Sequence, residues 1–210
     1  LVSTVALGKK ASAPTGVALA EDGRVFVADG SGKVVVFGPD GAWKADWGAE
    51  KGAGKLKGPG ALALGPKGDL YVADTDGNRV VVFSPEGKFR WAFGARGDLP
   101  GNLNAPGGVA VAADGSVAVA DAGNKRAQFF SADGLLLDVW NVLGDKPGEP
   151  LAVAILPGRR LAVLCRGEGR VRRLGDGGVA AGEWAWAGSP ARLSAIAGAP
   201  SDGLYVADEA

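Results

Sequence analysis

Short runs in which apolar residues alternate with polar or small ones cover the chain, and turn residues separate them. Between Pro59 and Gly94 four such runs follow one another: ALAL, DLYVAD, RVVVF and KFRWAF. A period near two is typical of β-strands, and the intervening Gly residues, beside Asp, Asn, Lys or Glu, supply the positive φ that tight hairpin turns need. This stretch predicts one four-stranded antiparallel meander, whose strands we name a to d in chain order.

The same frame returns along the whole chain, so the meander is a repeat. Its starting prolines, Pro14, Pro59, Pro106, Pro150 and Pro190, are 45, 47, 44 and 40 residues apart. That spacing is typical of a propeller blade and not of a helical solenoid. We therefore predict an all-β protein, a β-propeller of four-stranded antiparallel blades forming one domain over residues 1–210. The blades are expected at about 14–58, 59–105, 106–149, 150–189 and 190–210.

The fifth repeat is incomplete, because it stops after its second strand at the end of the sequence. Leu1 to Gly8 reads as a strand d, so residues 1–13 are expected to complete the last blade and remove an exposed sheet edge. Five repeats are detected, and six blades would also fit an intact domain. Self-association through the incomplete last blade is a further expectation.

The run VADTDGNRVVVFSPEGKF, residues 72–89, resembles the NHL repeat. The resemblance covers nearly the whole chain. It is strongest in the second copy, clear in the first and third, and poor in the fourth, where Leu164-Cys165 replaces Ala-Asp. It implies a β-propeller, usually with six blades.

Composition gives no sign of a membrane or polyanion partner. No apolar run approaches the roughly 20 residues that span a bilayer, and no signal sequence is visible, so the compartment stays open. The 23 basic and 23 acidic residues give zero net charge. The face with the a–b and c–d turns is predicted to be acidic, and the face with the b–c and d–a loops to be mixed. The lone Cys165 is expected inside a strand.

A carboxylate recurs where strand b ends: Asp29, Asp74, Asp121 and Asp208. We predict that each accepts backbone N–H bonds of the tight loop that follows, and that Arg79 and Arg126 pair with the Asp beside them. A ring of carboxylates around a metal is the alternative. The structural interpretation is favoured, because a position that recurs in four copies serves a repeated task, whereas metal ligands must converge at one point.

Histidine is absent from the sequence, which excludes Ser-His-Asp and Cys-His catalysis within these residues. Calcium needs only oxygen ligands, so a calcium-dependent propeller hydrolase or lyase stays open as an alternative. The residues that open each strand a are small or apolar, and no carboxylates converge at the centre. We predict a non-enzymatic protein with no catalytic residue, no metal and no cofactor.

The long d–a loops, 49–58 and 95–105, are the best candidates for binding an unknown protein or small ligand. Within them we single out six polar side chains: Lys51, Lys55, Lys57, Arg96, Asn102 and Asn104. Single-stranded RNA binding is a second alternative, suggested by an arginine cluster in the fourth copy: Arg159, Arg160, Arg166, Arg170, Arg172 and Arg173. Strand alternation disperses these arginines, so nucleic acid is disfavoured. The six tryptophans all fall in strands d, where packing between blades is expected.

Overall fold

The computed structural model describes residues 7–143, 148–166, 170–185, 193–198 and 203–208. Within these residues the regular secondary structure is β-strand, apart from two short 3-10 turns at Ala122–Asn124 and Asp176–Gly178. The predicted all-β propeller architecture is confirmed. None of the described helical segments is long and apolar enough to cross a membrane.

In the part of the chain that the structure describes, eighteen strands form five antiparallel sheets, and the sheets of blades 1 to 4 have four strands each. The strands are β1 Pro14–Leu19, β2 Val25–Asp29, β3 Lys33–Phe37, β4 Trp43–Trp47, β5 Pro59–Leu64, β6 Leu70–Asp74, β7 Arg79–Phe83, β8 Phe89–Phe93, β9 Pro106–Val111, β10 Val117–Asp121, β11 Arg126–Phe130, β12 Leu136–Trp140, β13 Pro150–Leu156, β14 Arg160–Cys165, β15 Arg170–Leu174, β16 Ala180–Ala185, β17 Leu193–Gly198 and β18 Leu204–Asp208. Blades 1 to 4 are β1–β4, β5–β8, β9–β12 and β13–β16, each in the order a-b-c-d, and blade 5 is β17 with β18.

The pairing register aligns the start of strand a in the first four blades. Pro14, Pro59, Pro106 and Pro150 each pair with the last residue of strand b. In blade 5 Leu193 pairs with Asp208, the last residue of β18, and Pro190 lies outside the described residues. The blade boundaries remain a prediction.

Strands a lie side by side at the centre, where the backbones approach closely. β1 contacts β5, β5 contacts β9, β9 contacts β13, and β13 contacts β17. A Cβ on Gly16 would overlap the carbonyl oxygen of Gly60 in the next blade, and one on Gly108 would lie 2.8 Å from the Cα of Ala152. Real side chains do not tolerate such contacts, so glycine at these positions permits neighbouring blades to meet.

The hydrophobic core is divided among the spaces between consecutive blades. Trp47, at the end of blade 1, packs between Phe26 of its own blade and Phe83 of blade 2, with ring centroids 5.2 and 6.1 Å away. Equivalent clusters join blades 2 and 3, blades 3 and 4, and blades 4 and 5. Trp140 is buried in the same manner, whereas Trp43 is exposed and Trp186 lies outside the described residues. Cys165 is buried in β14, as expected.

Hydroxyl groups add polar links between blades. Thr15 Oγ1 donates to the carbonyl oxygen of Pro59 at 2.7 Å, and Thr75 Oγ1 donates to that of Pro106 at 2.8 Å. In both links the acceptor is the proline that opens strand a of the following blade. A fixed acceptor position thus sets the distance between blades at the centre.

The side of blade 1 that faces away from blade 2 is only partly covered by the described residues. Val17 and Leu19 of β1 are each 68 % exposed, while Leu7 packs with Ala11 against the other strands of this blade. The expected clasp of Leu1 to Gly8 on the last blade falls largely on residues 1–6, outside the described residues. It remains a prediction.

Candidate functional site

Buried carboxylates end strand b in the first three blades. Asp29, Asp74 and Asp121 are fully inaccessible to solvent. Asp208 ends β18 in the same register, and its side chain lies outside the described set. A buried carboxylate requires several hydrogen-bond donors. The donors to these Asp residues therefore show which segments of the chain each carboxylate holds together.

The donors to these carboxylates come mainly from the loop that precedes strand a. Asp74 Oδ1 accepts from the backbone N–H groups of Lys57 and Gly58, at 2.8 and 3.0 Å. Asp121 Oδ1 accepts from the N–H of Asn104 at 2.7 Å. Strand a pairs with strand b at this end of the sheet, so the d–a loop passes directly over the carboxylate. The predicted bond to the following b–c loop occurs at Asp29, which accepts from the N–H of Ser31 as well as that of Ser12.

Two arginines at the start of strand c join these carboxylates to the same loops. Arg79 Nε donates to Asp74 Oδ2 at 3.0 Å, and its two terminal nitrogens donate to the carbonyl oxygens of Ala53 and Lys55. The planar guanidinium thus connects the buried carboxylate to the loop backbone, a geometry that lysine cannot reproduce.

Blade 3 repeats this arrangement with more bonds. Arg126 Nε lies 2.7 Å from Asp121 Oδ2, and its other nitrogens donate to the carbonyl oxygens of Asp98, Leu99 and Asn102. Gln128 is fully buried and donates to both Asp121 and Asn102 O, while its Oε1 accepts from a loop N–H. We did not predict a role for Gln128, although an amide in the middle of an apolar strand was a signal that it binds something polar.

Blade 4 has Cys165 in place of the carboxylate, and its loop is held from another position. Arg172, two residues further along strand c than Arg79 and Arg126, is buried and donates to the carbonyl oxygens of Val142 and Leu143 at 3.3 and 2.7 Å. Arg170, at the position equivalent to Arg79, instead pairs with Glu183 at 3.1 Å. An arginine of strand c therefore binds the d–a loop in blade 4 too, although this blade has no Asp at the end of strand b.

The predicted binding residues divide into two groups. The side chains of Lys51, Lys55, Lys57 and Arg96 are exposed, and no ion pair involves them within the described residues. Asn102 and Asn104 are half-buried and act through their backbones: Asn102 O accepts from Arg126 and Gln128, and Asn104 N–H donates to Asp121. These backbone bonds support the loop, and the binding role of the two asparagine side chains stays a prediction.

Loops 49–58 and 95–105, together with the b–c loop 75–78, form what we call the rim. Besides its four exposed cations the rim carries three exposed carboxylates: Glu50, Asp76 and Asp98. The mixed charge predicted for this face is therefore present. The long loops of the rim contain no strand or helix. Arg79 and Arg126 nevertheless bind their carbonyl groups, and we infer that these bonds order the loops before a partner binds.

The opposite face carries carboxylates that stabilise turns. Hydrogen bonds from the backbone N–H groups two residues later hold the pKa of Asp22 and Asp40 below its ordinary value. The pKa of Asp114 is lowered in the same direction, first by the Ser116 hydroxyl and then by the Ser116 N–H. These side chains close the a–b and c–d turns, so their recurrence has a structural cause. In the part of the chain that the structure describes, no group of three or more His, Cys, Asp or Glu side chains could hold a metal ion.

Comparison with known proteins finds a similar repeat for one stretch of the chain. The sequence profile of the NHL repeat matches residues 56–83, which hold the end of the d–a loop, Asp74 and Arg79. The resemblance of the second copy to the NHL repeat is thereby confirmed. A search of curated proteins finds no sequence relative.

Solved structures are similar in fold. A streptogramin B lyase superposes with a TM-score of 0.74 at 18 % identity, over 94 % of this chain and 63 % of the lyase chain. The catalytically inactive H270A virginiamycin B lyase from Staphylococcus aureus, with quinupristin, gives 0.71 at 16 %, over 93 % and 63 %. A nidogen/laminin complex gives 0.68 at 17 %, over 93 % and 72 %. The chain thus spans less than two thirds of the length of these lyases, and identities this low show the fold alone.

Proposed function

We propose that this protein is a non-enzymatic recognition module that binds a protein partner through the rim. The observation that carries the proposal is the binding of the loop carbonyl groups by Arg79 and Arg126 above buried carboxylates. Loops fixed before binding lose less conformational freedom when a partner docks, and that favours affinity. The nidogen/laminin neighbour agrees with a protein-binding role for this type of fold.

The charge on the rim favours a protein over a nucleic acid. The rim carries four cations and three carboxylates, a composition that suits a partner surface of mixed charge. A nucleic acid requires several cations on one surface without interspersed carboxylates. The arginines of blade 4 do not supply such a surface, because Arg172 is buried, Arg173 lies over Trp184, and Arg166 pairs with Glu149.

The similarity to lyases does not extend to the residue that their structures identify. One virginiamycin B lyase is catalytically inactive as the H270A variant, so a histidine is needed for its activity. The 210 residues of this chain contain no histidine. Binding is therefore the function that these residues support best.

Charge reversal on the rim tests the proposal. A triple variant, Lys51→Glu, Lys55→Glu and Lys57→Glu, is compared with a control triple variant on the turns and outer strands, Lys44→Glu, Lys67→Glu and Lys88→Glu. Partners that co-purify from the native host are identified by quantitative mass spectrometry, and the affinity of a purified partner is then measured. We expect the rim variant to lose affinity by about tenfold or more and the control variant to keep it. Equal loss in both variants, or no loss in the rim variant, would overturn the proposal.

A further inference from the structure

A cavity of about 700 Å³ lies on the face opposite to the rim, between strands a of blades 2 to 5. Its wall consists mainly of aliphatic side chains, among them Leu62, Val109, Val111, Val153, Ile155 and Ile196. Strands a are edge strands of their sheets, so part of their backbone N–H and C=O groups also face this space. The sequence predicted a centre lined by small and apolar residues, but it gave no sign that these enclose a space of ligand size.

The volume of the cavity falls in the range of small-molecule sites. Protein pockets for drug-sized ligands measure about 300 to 1,000 Å³ and combine mainly apolar walls with a few polar groups. Here the polar groups lie at the mouth, where Asp114, Ser116 and Arg159 contribute to the lining. The apolar body of a ligand would therefore sit inside, and its polar group would face these side chains.

The mouth differs from the other a–b turns because blade 4 builds its turn from Pro157, Gly158 and Arg159. Arg159 has a φ of 53°, unusual for a residue with a side chain, and its side chain is 53 % exposed. It lies 3.8 Å from Asp138 and 3.7 Å from Asp176, and no hydrogen bond fixes it to either carboxylate. The guanidinium thus lies near the carboxylates of Asp138 and Asp176, and Asp114 lines the cavity with it.

The surrounding face is acidic, as the sequence predicted. In the described a–b and c–d turns and the first residue after them, the acidic side chains are Glu21, Asp22, Asp40, Asp69, Glu86, Asp114, Asp133 and Asp176. The basic side chains there are Arg24, Lys67, Lys88, Arg159 and Arg160. A negative field at the mouth of a low-dielectric cavity repels anions and concentrates cations.

We propose that this cavity binds a hydrophobic cation, a molecule with an apolar body of drug size and one protonated amine. The apolar body contacts the aliphatic wall, and the ammonium group lies at the mouth near Asp114. Charge complementarity selects this class, because the surrounding turns carry eight acidic side chains against five basic ones. Arg159 is the competing cation, so its removal strengthens binding of the amine.

Three probes with the same apolar body and different charge test the proposal on the purified protein. They are 1-pyrenemethylamine, 1-pyrenemethanol and 1-pyrenecarboxylate, followed by pyrene fluorescence at low ionic strength. We expect the amine to bind about tenfold more tightly than the carboxylate, with the alcohol between them, and the difference to shrink as salt is added. A carboxylate probe that binds as tightly as the amine, or more tightly, would overturn the proposal.

Variants locate the site. Arg159→Gln should increase the affinity for the amine several-fold, and the pair Asp114→Asn with Asp176→Asn should reduce it, by about the same factor. The control pair, Asp22→Asn with Asp40→Asn, removes the same charge on the same face away from the cavity and should change the affinity less than about twofold. Ala112→Trp, which fills the mouth, should abolish binding of all three probes. Binding that survives this substitution in a folded protein, judged by circular dichroism, places the probe elsewhere and overturns the proposal.

Discussion

The c–d turn of blade 2 places Gly87 directly against the indole ring of Trp47, the last residue of strand d in blade 1. A Cβ at Gly87 would overlap this ring, and the glycine has a φ of 82°. The same relationship recurs between Gly134 and Phe93, where the distance would be 2.9 Å, and between Gly178 and Trp140, at 3.0 Å. Each turn glycine therefore has two tasks: it forms a tight turn, and it leaves room for the aromatic side chain of the preceding blade.

Gly87→Ala should destabilise the protein by more than its backbone conformation alone explains. A side chain in the left-handed region costs about 1 kcal/mol, and the overlap with Trp47 adds roughly 1–3 kcal/mol. Gly177 is the matched control, because its φ is 71° and nothing lies within 4 Å of an added Cβ. Urea unfolding of both variants measures the difference. Equal midpoints would show that the contact with Trp47 does not restrict this position.

Asp74→Ala should lower the free energy of unfolding by roughly 2–4 kcal/mol, since it leaves two loop N–H groups and Arg79 without their acceptor. Asp29 accepts backbone N–H bonds from Ser12 and Ser31, and no ion pair is formed by it among the described residues. Asp29→Ala should therefore cost less, about 1–3 kcal/mol. Chemical denaturation of both variants checks the order. A wild-type midpoint for Asp74→Ala would contradict a structural role for this carboxylate.

Arg126→Lys should loosen the loop at 95–105 while the blade stays folded. One ammonium cannot replace a guanidinium that bonds Asp121 and three loop carbonyl groups at once. Hydrogen exchange at residues 97–103 should become about tenfold faster or more, because the loop then opens without unfolding of the sheet. Arg90→Lys, which changes an outward side chain paired with Asp69, is the control. Unchanged exchange in the loop would show that the arginine does not order it.

The alternation of apolar with polar or small residues was sufficient to predict the strands, because this pattern recurs at strands a, b, c and d along the chain. It also placed Arg79 next to Asp74, since both lie on facing ends of one hairpin. The carbonyl partners of Arg79 and the substitution of Arg172 for Arg126 could not be predicted, because they depend on the path of a loop that has no period. The cavity escaped prediction for the same reason: its wall joins strands about 45 residues apart, and its mouth depends on the altered turn at Arg159.

Asp29 should make stability depend on acid pH. Burial alone would raise the pKa of Asp29, but the hydrogen bonds from Ser31 and Ser12 outweigh it and hold the pKa below the ordinary value. A carboxyl with a lowered folded pKa stabilises fully above the unfolded pKa of about 3.9, and that contribution is lost as pH falls through the folded value. Asp29→Asn should therefore weaken the protein at neutral pH and reduce its loss of stability between about pH 5 and pH 2. Urea midpoints across this range test the expectation, and parallel curves for wild type and variant would contradict it.

The hydroxyl links of Thr15 and Thr75 both end on a proline carbonyl at the start of the next strand a. Blades 2 and 3 therefore offer the same acceptor to the blade before them, and the turn glycines of blades 2 to 4 offer the same space to the preceding aromatic residue. An in-frame duplication of one blade-length gene segment would insert a unit whose two sides already match their new neighbours. The number of blades in such proteins can thus change by single duplications during evolution, without new interfaces having to arise first.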